Sequence, residues 1–245
     1  MVIKRFNRQA VVLTAVIMAL LLSGCMYPKE LRKENAVALK ESVLIVQTAI
    51  QQYQQQTGVL PIKNFTESTP LYERYVIDFS KMIAKQTLSS IPATAYEKGG
   101  SAVFVLTNVE ESPQVKLMDI ASVQQINEVQ KWVDDYRASR QGALPKGAQI
   151  APSFYSIDFK ALGQESQQVR SLYFTQLNSL IINEAGQVFV DYGSDIAQLI
   201  QKKGMPAPNP DTDLRQLLVD DGLYVPVKST AYHWQNDQPV AIQPL

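Results

Sequence analysis

The sequence predicts an α+β fold built from two tandem copies of a unit, each with a long helix packed on a short antiparallel sheet. Two amphipathic helical stretches carry this expectation. So do the matching Gly-x-Leu-Pro segments that follow them and the β-rich segments that come after. The parallel runs through Tyr53 and Tyr136, Gly58 to Pro61 and Gly142 to Pro145, Pro70 and Pro152, and Ile77-Asp78-Phe79 and Ile157-Asp158-Phe159. The segment from Tyr96 (YEKGGSAVFVLTN) is also matched to that from Asn183 (NEAGQVFVDYG), which makes Phe104 and Phe189 equivalent strand residues facing the core.

Each helix is justified locally. Leu39, Val43, Val46, Ile50 and Tyr53 recur at spacings of three and four, and Ile126, Val129, Val133 and Tyr136 repeat that stripe. No proline interrupts residues 31 to 56 or 119 to 141. Gly58 and Gly142 can take the left-handed conformation that ends a helix, and the prolines that follow prevent its continuation. Ala102 to Thr107, Val115 to Met118 and Gln187 to Val190 read as strands, with Lys98-Gly99-Gly100 and Glu184-Ala185-Gly186 as tight turns. Helices followed by hairpins, without strand-helix-strand alternation, favour antiparallel sheets.

The expected boundaries follow. Residues 1–24 are a lipoprotein signal peptide, 25–119 an anchor segment with the first unit, and 120–203 the second unit. Residues 204–245 hold a Pro-rich linker, a short helix from Asp211 to Val219, a strand from Leu223 to Val227 and a turn-rich closing tail. In the leader, Lys4, Arg5 and Arg8 precede an apolar run from Ala10 to Leu22, too short to span a membrane and of a size suited to a signal peptide. Leu22-Ser23-Gly24-Cys25 follows at once and resembles the bacterial lipobox. This resemblance implies cleavage between Gly24 and Cys25 and lipid attachment to Cys25. Cys25 is the only cysteine, so a disulfide within the chain and cysteine-based zinc clusters are excluded. Two or more acyl chains anchor a protein stably, whereas one does so only marginally.

Cleavage leaves 221 residues with 20 Lys+Arg against 23 Asp+Glu, a charge of about −3 that gives no reason to expect nucleic acid as a partner. Phosphate-binding glycine loops, Gly-x-Ser-x-Gly and His-Glu-x-x-His are all missing, so no catalytic residue, metal ligand set or cofactor is assigned. His233, the one histidine, lies between Tyr232 and Trp234 and reads as a packing or surface residue. Asn209, Asp211, Asp213 and Asp220 imitate part of a calcium loop, but Leu214 stands where the sharp turn needs glycine; Asp211 or Thr212 reads instead as a helix cap. Asp78 and Asp158 read as caps, and Asp134-Asp135 and Asp220-Asp221 as solvated acids.

The helix, tyrosine and Gly-x-x-Pro order resembles the soluble half of pseudopilins and type IV pilins, which implies a helix-on-sheet likeness only. Taken together, Cys25, Tyr27 and Pro28, the LPIK segment at Leu60, IDFSK at Ile77 and FVDYG at Phe189 resemble the YphF-type lipoproteins of spore-forming Gram-positive bacteria. That resemblance implies a lipid-anchored, extracytoplasmic address at the cell membrane. The expected role is a non-enzymatic envelope binding protein with an envelope protein or cell-wall partner; the alternative is the solute-binding lipoprotein of an ABC transporter.

Cys25→Ala is expected to abolish metabolic lipid labelling and to leave the precursor uncleaved. A variant that still partitions with membranes in fully processed form contradicts the anchor.

Overall fold

The computed structural model describes residues 29–243, with side chains from residue 36 onward, so Gly24 and Cys25 lie outside the described residues. The chain divides into two compact units, Met1–Lys40 and Glu41–Leu245. No described helix is long and apolar enough to cross a membrane. The first helix, α1, runs Lys29–Thr57, and within Glu41–Leu245 its expected stripe is the buried face: Val46 and Ile50 are at most 1% exposed. α2 (Phe79–Ala84) and a hairpin of β1 (Ala102–Thr107) and β2 (Gln114–Asp119) follow. Then come α3 (Ile120–Ser139), β3 (Lys146–Ala151), β4 (Phe154–Ile157), β5 (Gln168–Arg170), β6 (Leu177–Asn183), β7 (Val188–Val190) and α4 (Gly193–Lys203). The chain closes with α5 (Arg215–Asp221) and a hairpin of β8 (Ala231–Gln235) and β9 (Gln238–Ile242). Helices and antiparallel sheets make this an α+β fold.

The same backbone connections recur in two places. Gly58 (φ 73°) follows α1 and Gly142 (φ 89°) follows α3, each in the left-handed region that glycine enters without steric cost. Beyond them, the Asp78 and Asp158 amides donate to the Pro61 and Pro145 carbonyls, both at 2.8 Å. Ile62 faces Ile77 and Lys146 faces Ile157 in antiparallel bridges. One residue earlier, Val76 pairs with Val105 and Ser156 with Ile181. Finally, one glutamine on each long helix holds a hairpin. Gln47 donates to the Pro113 carbonyl and accepts from the Val115 amide (2.9 and 2.7 Å), while Gln130 donates to the Gly186 carbonyl and accepts from the Val188 amide (2.9 and 2.7 Å).

These connections match β1–β2 with β6–β7 and correct the expected equivalence of Phe104 and Phe189. Phe104 stands on the first strand of its hairpin, opposite Leu117, whereas Phe189 stands on the second strand, opposite Ile181. A short Val-Phe-Val run signals a strand but not which strand of a hairpin it forms; pairing decides that. The Lys98-Gly99-Gly100 segment is likewise no hairpin tip. Tyr96–Lys98 is a 3₁₀ turn closed by Gly99 (φ 82°), and β1 begins after it.

The C-terminal part also differs from expectation. Asn209 Oδ1 accepts from the Asp211 amide, so this stretch forms a side-chain-closed turn and the helix begins only at Arg215. The closing tail is the β8–β9 hairpin, reversed at Asn236 and Asp237 (φ 50° and 60°), residue types that tolerate a left-handed turn. Between α5 and this hairpin the backbone pairs with both halves. Leu117 donates to the Leu223 carbonyl and accepts from the Val225 amide, both at 2.9 Å, and Val190 donates to the Lys228 carbonyl at 2.9 Å. Leu218 of α5 packs in the core with Ile126, Phe154, Ile182 and Tyr232; the next residue, Val219, packs with Tyr72, Val105, Val225 and Val227.

Gln130→Ala removes a donor and an acceptor from the β6–β7 turn and is expected to cost about 1–2 kcal/mol in urea unfolding. Hydrogen exchange at the Val188 amide is expected to accelerate selectively. Gln47→Ala should do the same at Val115, and unchanged exchange at both amides contradicts the clamp.

Candidate functional site

A cavity of about 440 Å³ opens at the far end of β1. Three segments build it. Pro70 leads into a 3₁₀ turn, Leu71–Glu73, that presents Leu71 and Tyr72, and Tyr75 follows. The end of β1 contributes Leu106 and Thr107, and the loop after it contributes Asn108 to Glu111. Gln216, from the first turn of α5, closes the opposite wall.

The turn is fixed from behind. Glu73 accepts from the Lys228 amide at 2.7 Å, tying it to the C-terminal segment. Tyr72 is buried, its hydroxyl donates to Gln216 Oε1 at 3.3 Å, and the Arg215 guanidinium lies 5.0 Å from its ring centroid. Arg215 is itself gripped by Asp213, with Nη2 to Oδ2 at 2.6 Å. Burial, and then the nearby Asp213, push the Tyr72 phenol far above its ordinary value, so it stays a neutral donor at physiological pH. Gln216 Nε2 donates in turn to Asp220 at 2.7 Å.

The loop explains why there is space. Six residues, 108–113, join β1 to β2, against four, 184–187, joining β6 to β7. In the shorter connection Asn183, the last residue of β6, accepts from the amides of Ala185 and Gln187 and donates to Gln187 Oε1 at 2.8 Å, closing the turn on itself. Thr107, the last residue of β1, has no such reach. It is 6% exposed, and its hydroxyl has no hydrogen-bond partner. Asn108 then takes φ 51°, turning the chain away.

The residues singled out from the sequence lie elsewhere. His233 sits on β8 opposite Val240 and does not line the cavity. Among the described residues, no group of three or more histidine, cysteine, aspartate or glutamate side chains could hold a metal ion. Asp213 is spent on Arg215 and Asp220 on Gln216, and Asn209 binds its own turn. Asp78 caps α2 through the Ser80 amide; Asp158 accepts from the Ala161 amide, but only a turn follows it, so it caps no helix. Sequence reasoning missed the cavity residues. The available signals were the Leu71-Tyr72-x-x-Tyr75 spacing and the adjacent Glu110-Glu111.

A second polar cluster is structural. Asp195, fully buried in the first turn of α4, accepts from Ser171 Oγ and Gln176 Nε2, both at 2.6 Å, and from Asn178 Nδ2. Ser171 Oγ also accepts from the Tyr173 and Phe174 amides, so the carboxylate organises the turn between β5 and β6. Burial raises the Asp195 pKa against the pull of these hydrogen bonds. With the folded value above the unfolded one, protonation favours the fold. That contribution is complete below the ordinary carboxylate value of about 3.9 and is lost as the pH rises through the raised value. Asp195→Asn, which does not titrate, is therefore expected to compare least well with wild type near pH 4 and better as the pH approaches neutrality. Urea unfolding across that interval checks this, and a pH-independent difference contradicts it.

Comparison with known proteins bears on the half of the molecule that holds the cavity. No curated protein and no solved structure matches the chain. Residues 39–119 match the model of the YphF family N-terminal domain. The match ends at the residue before α3, and every residue lining the cavity except Gln216 falls inside it. This part of the chain is similar to the YphF family N-terminal domain.

Proposed function

We propose that this protein is a non-enzymatic binding lipoprotein, cleaved before Cys25 and displayed by lipid on that cysteine at the extracytoplasmic face of the cell membrane. Its body is read as two copies of one α+β unit, of which the first has kept an open site and the second has closed the same place with Asn183. The cavity beside Tyr72 and Tyr75 carries this reading. It is large enough for a small ligand or a side group of an envelope partner, since ligand pockets run from about 300 to 1,000 Å³. Apolar and aromatic walls with a few polar groups suit recognition.

The size of the cavity also favours a second reading, the solute-binding lipoprotein of an ABC transporter. Against that reading stands the topology. Receptors of that kind are typically two-lobed with repeated strand-helix alternation, whereas the sheets here are antiparallel.

In cells whose deletion phenotype provides the readout, His233→Ala is expected to complement fully. Leu71→Arg, which places a cation at a cavity wall that is 49% exposed, is expected to fail while remaining folded and anchored. A stable, anchored His233→Ala protein as defective as the deletion contradicts the non-enzymatic reading and moves attention to the β8–β9 hairpin.

A further inference from the structure

We propose that the cavity at the end of β1 binds a neutral, polyhydroxylated ligand, a sugar unit free or within a glycan, a class that rests on the binding-module reading of the same site. Its lining combines apolar and aromatic surface with free groups that both give and take hydrogen bonds.

The aromatic wall is braced before any ligand arrives. The Tyr75 carbonyl accepts from the Leu106 amide at 2.9 Å, which holds this residue against β1. Phe65 meets the Tyr75 ring edge-on, with centroids 5.1 Å apart, and Arg74 lies over Phe65 while donating to the carbonyls of Thr69 and Glu67. Phe65 is itself 43% exposed, so aromatic surface continues beyond the lining. Leu71 and Val109 add aliphatic wall. A sugar ring has an apolar C–H face and a polar rim, and a tyrosine beside aliphatic side chains offers the matching apolar body and polar tip.

The polar groups decide the class. The Tyr72 hydroxyl proton is spent on Gln216, and the Gln216 amide donates to Asp220. Among the described residues no hydrogen bond engages the Tyr75 hydroxyl or the Asn108 carboxamide, so the lining keeps an O–H donor, an N–H donor and an amide acceptor. Asn108 is set by its backbone, with φ 51° and a carbonyl that accepts from the Ser112 amide at 3.0 Å. Glu110 and Glu111 are exposed, where water and salt screen them; they add acceptors without fixing the class. A hydrocarbon would leave the Tyr75 and Asn108 donors unpaired. An ammonium has no acceptor to offer them. An anion would accept from both, but it finds no lysine or arginine in the lining and meets two carboxylates. A hydroxyl both donates and accepts, and a ring carrying several answers donors and acceptors together.

The test uses full-length protein in lauryldimethylamine oxide, since a glycoside detergent would itself compete. Cellotetraose, maltotetraose, chitotetraose and the anionic tetragalacturonate are titrated, followed by calorimetry and by the backbone amide resonances of Asn108 and Val109. At least one neutral tetramer is expected to bind, at least about tenfold more tightly than tetragalacturonate. Tyr75→Phe keeps the ring beside Phe65 and Asn108→Gly keeps the left-handed backbone; each should lose about tenfold in affinity while the melting temperature stays within about 3 °C. Glu110→Gln with Glu111→Gln should bind the neutral tetramer within about twofold of wild type. A tetramer that binds more tightly than its monosaccharide marks a polymer as the source and equal affinity marks a free sugar; both uphold the class. Failure of all the neutral tetramers at about 10 mM, or equal binding of tetragalacturonate, overturns it. So does full affinity in both Tyr75→Phe and Asn108→Gly, or loss of binding in the double glutamate variant. The binding-module reading stands or falls separately, on whether His233→Ala and Leu71→Arg complement in cells.

Discussion

Residues 223–228 lend their backbone to two strands that would otherwise end in unpaired amides and carbonyls. β2 bonds to this segment through Leu117, and β7 through Val190, residues that occupy corresponding places in the two hairpins. Unpaired strand edges cost free energy when buried and invite aggregation when exposed, so this one segment removes two liabilities. Its side chains act likewise: Val225 and Val227 are fully buried, and the preceding helix sends Leu218 into one core cluster and Val219 into another. The buried ammonium of Lys116, reaching from β2 to the carbonyls of Val219 and Gly222, closes the end of that helix. Burial lowers its pKa, with Asp220 and Asp221 pulling the other way.

The two hairpins show how loop length changes what one architecture can hold. Both are gripped by a helix glutamine and both pair with an extended segment ending at an aspartate whose carboxylate accepts from a following amide. Four connecting residues allow Asn183 to satisfy the turn from within. Six leave a hollow, with Thr107 at its base and Glu110 and Glu111 beside it. The cavity thus lies at the longer connection, beside a strand end that is already paired. Tyr72 and Gln216, 144 residues apart, meet there because Glu73 is tied to Lys228.

Most of the helical architecture was legible in the sequence. Stripes at Val43 to Tyr53 and Ile126 to Val133 are local, repeated and interrupted by no proline, and Gly58 and Gly142 announce where each helix stops. Strands β1, β2 and β7 carried recognisable β-branched or aromatic runs, and Asp78 sits as a cap does. The closing hairpin was hidden because His233, Trp234, Gln235 and Pro239 disguise its alternation; the Asn236-Asp237 pair was its one clear local signal.

The sequence by itself determined the two long helices and the glycines that follow them, that no disulfide can form within the chain and that no multi-histidine metal site exists. Each of these depends on neighbours along the chain or on a count of side chains. Only the tertiary structure decided that Phe104 and Phe189 belong to different strands of their hairpins, that residues 223–228 close two edges, and that Thr107 faces a cavity with Tyr72 and Gln216. Strand register and cavities arise from hydrogen bonds and packing between residues far apart in sequence. A local pattern can state that a strand exists but carries no information about the partner it meets.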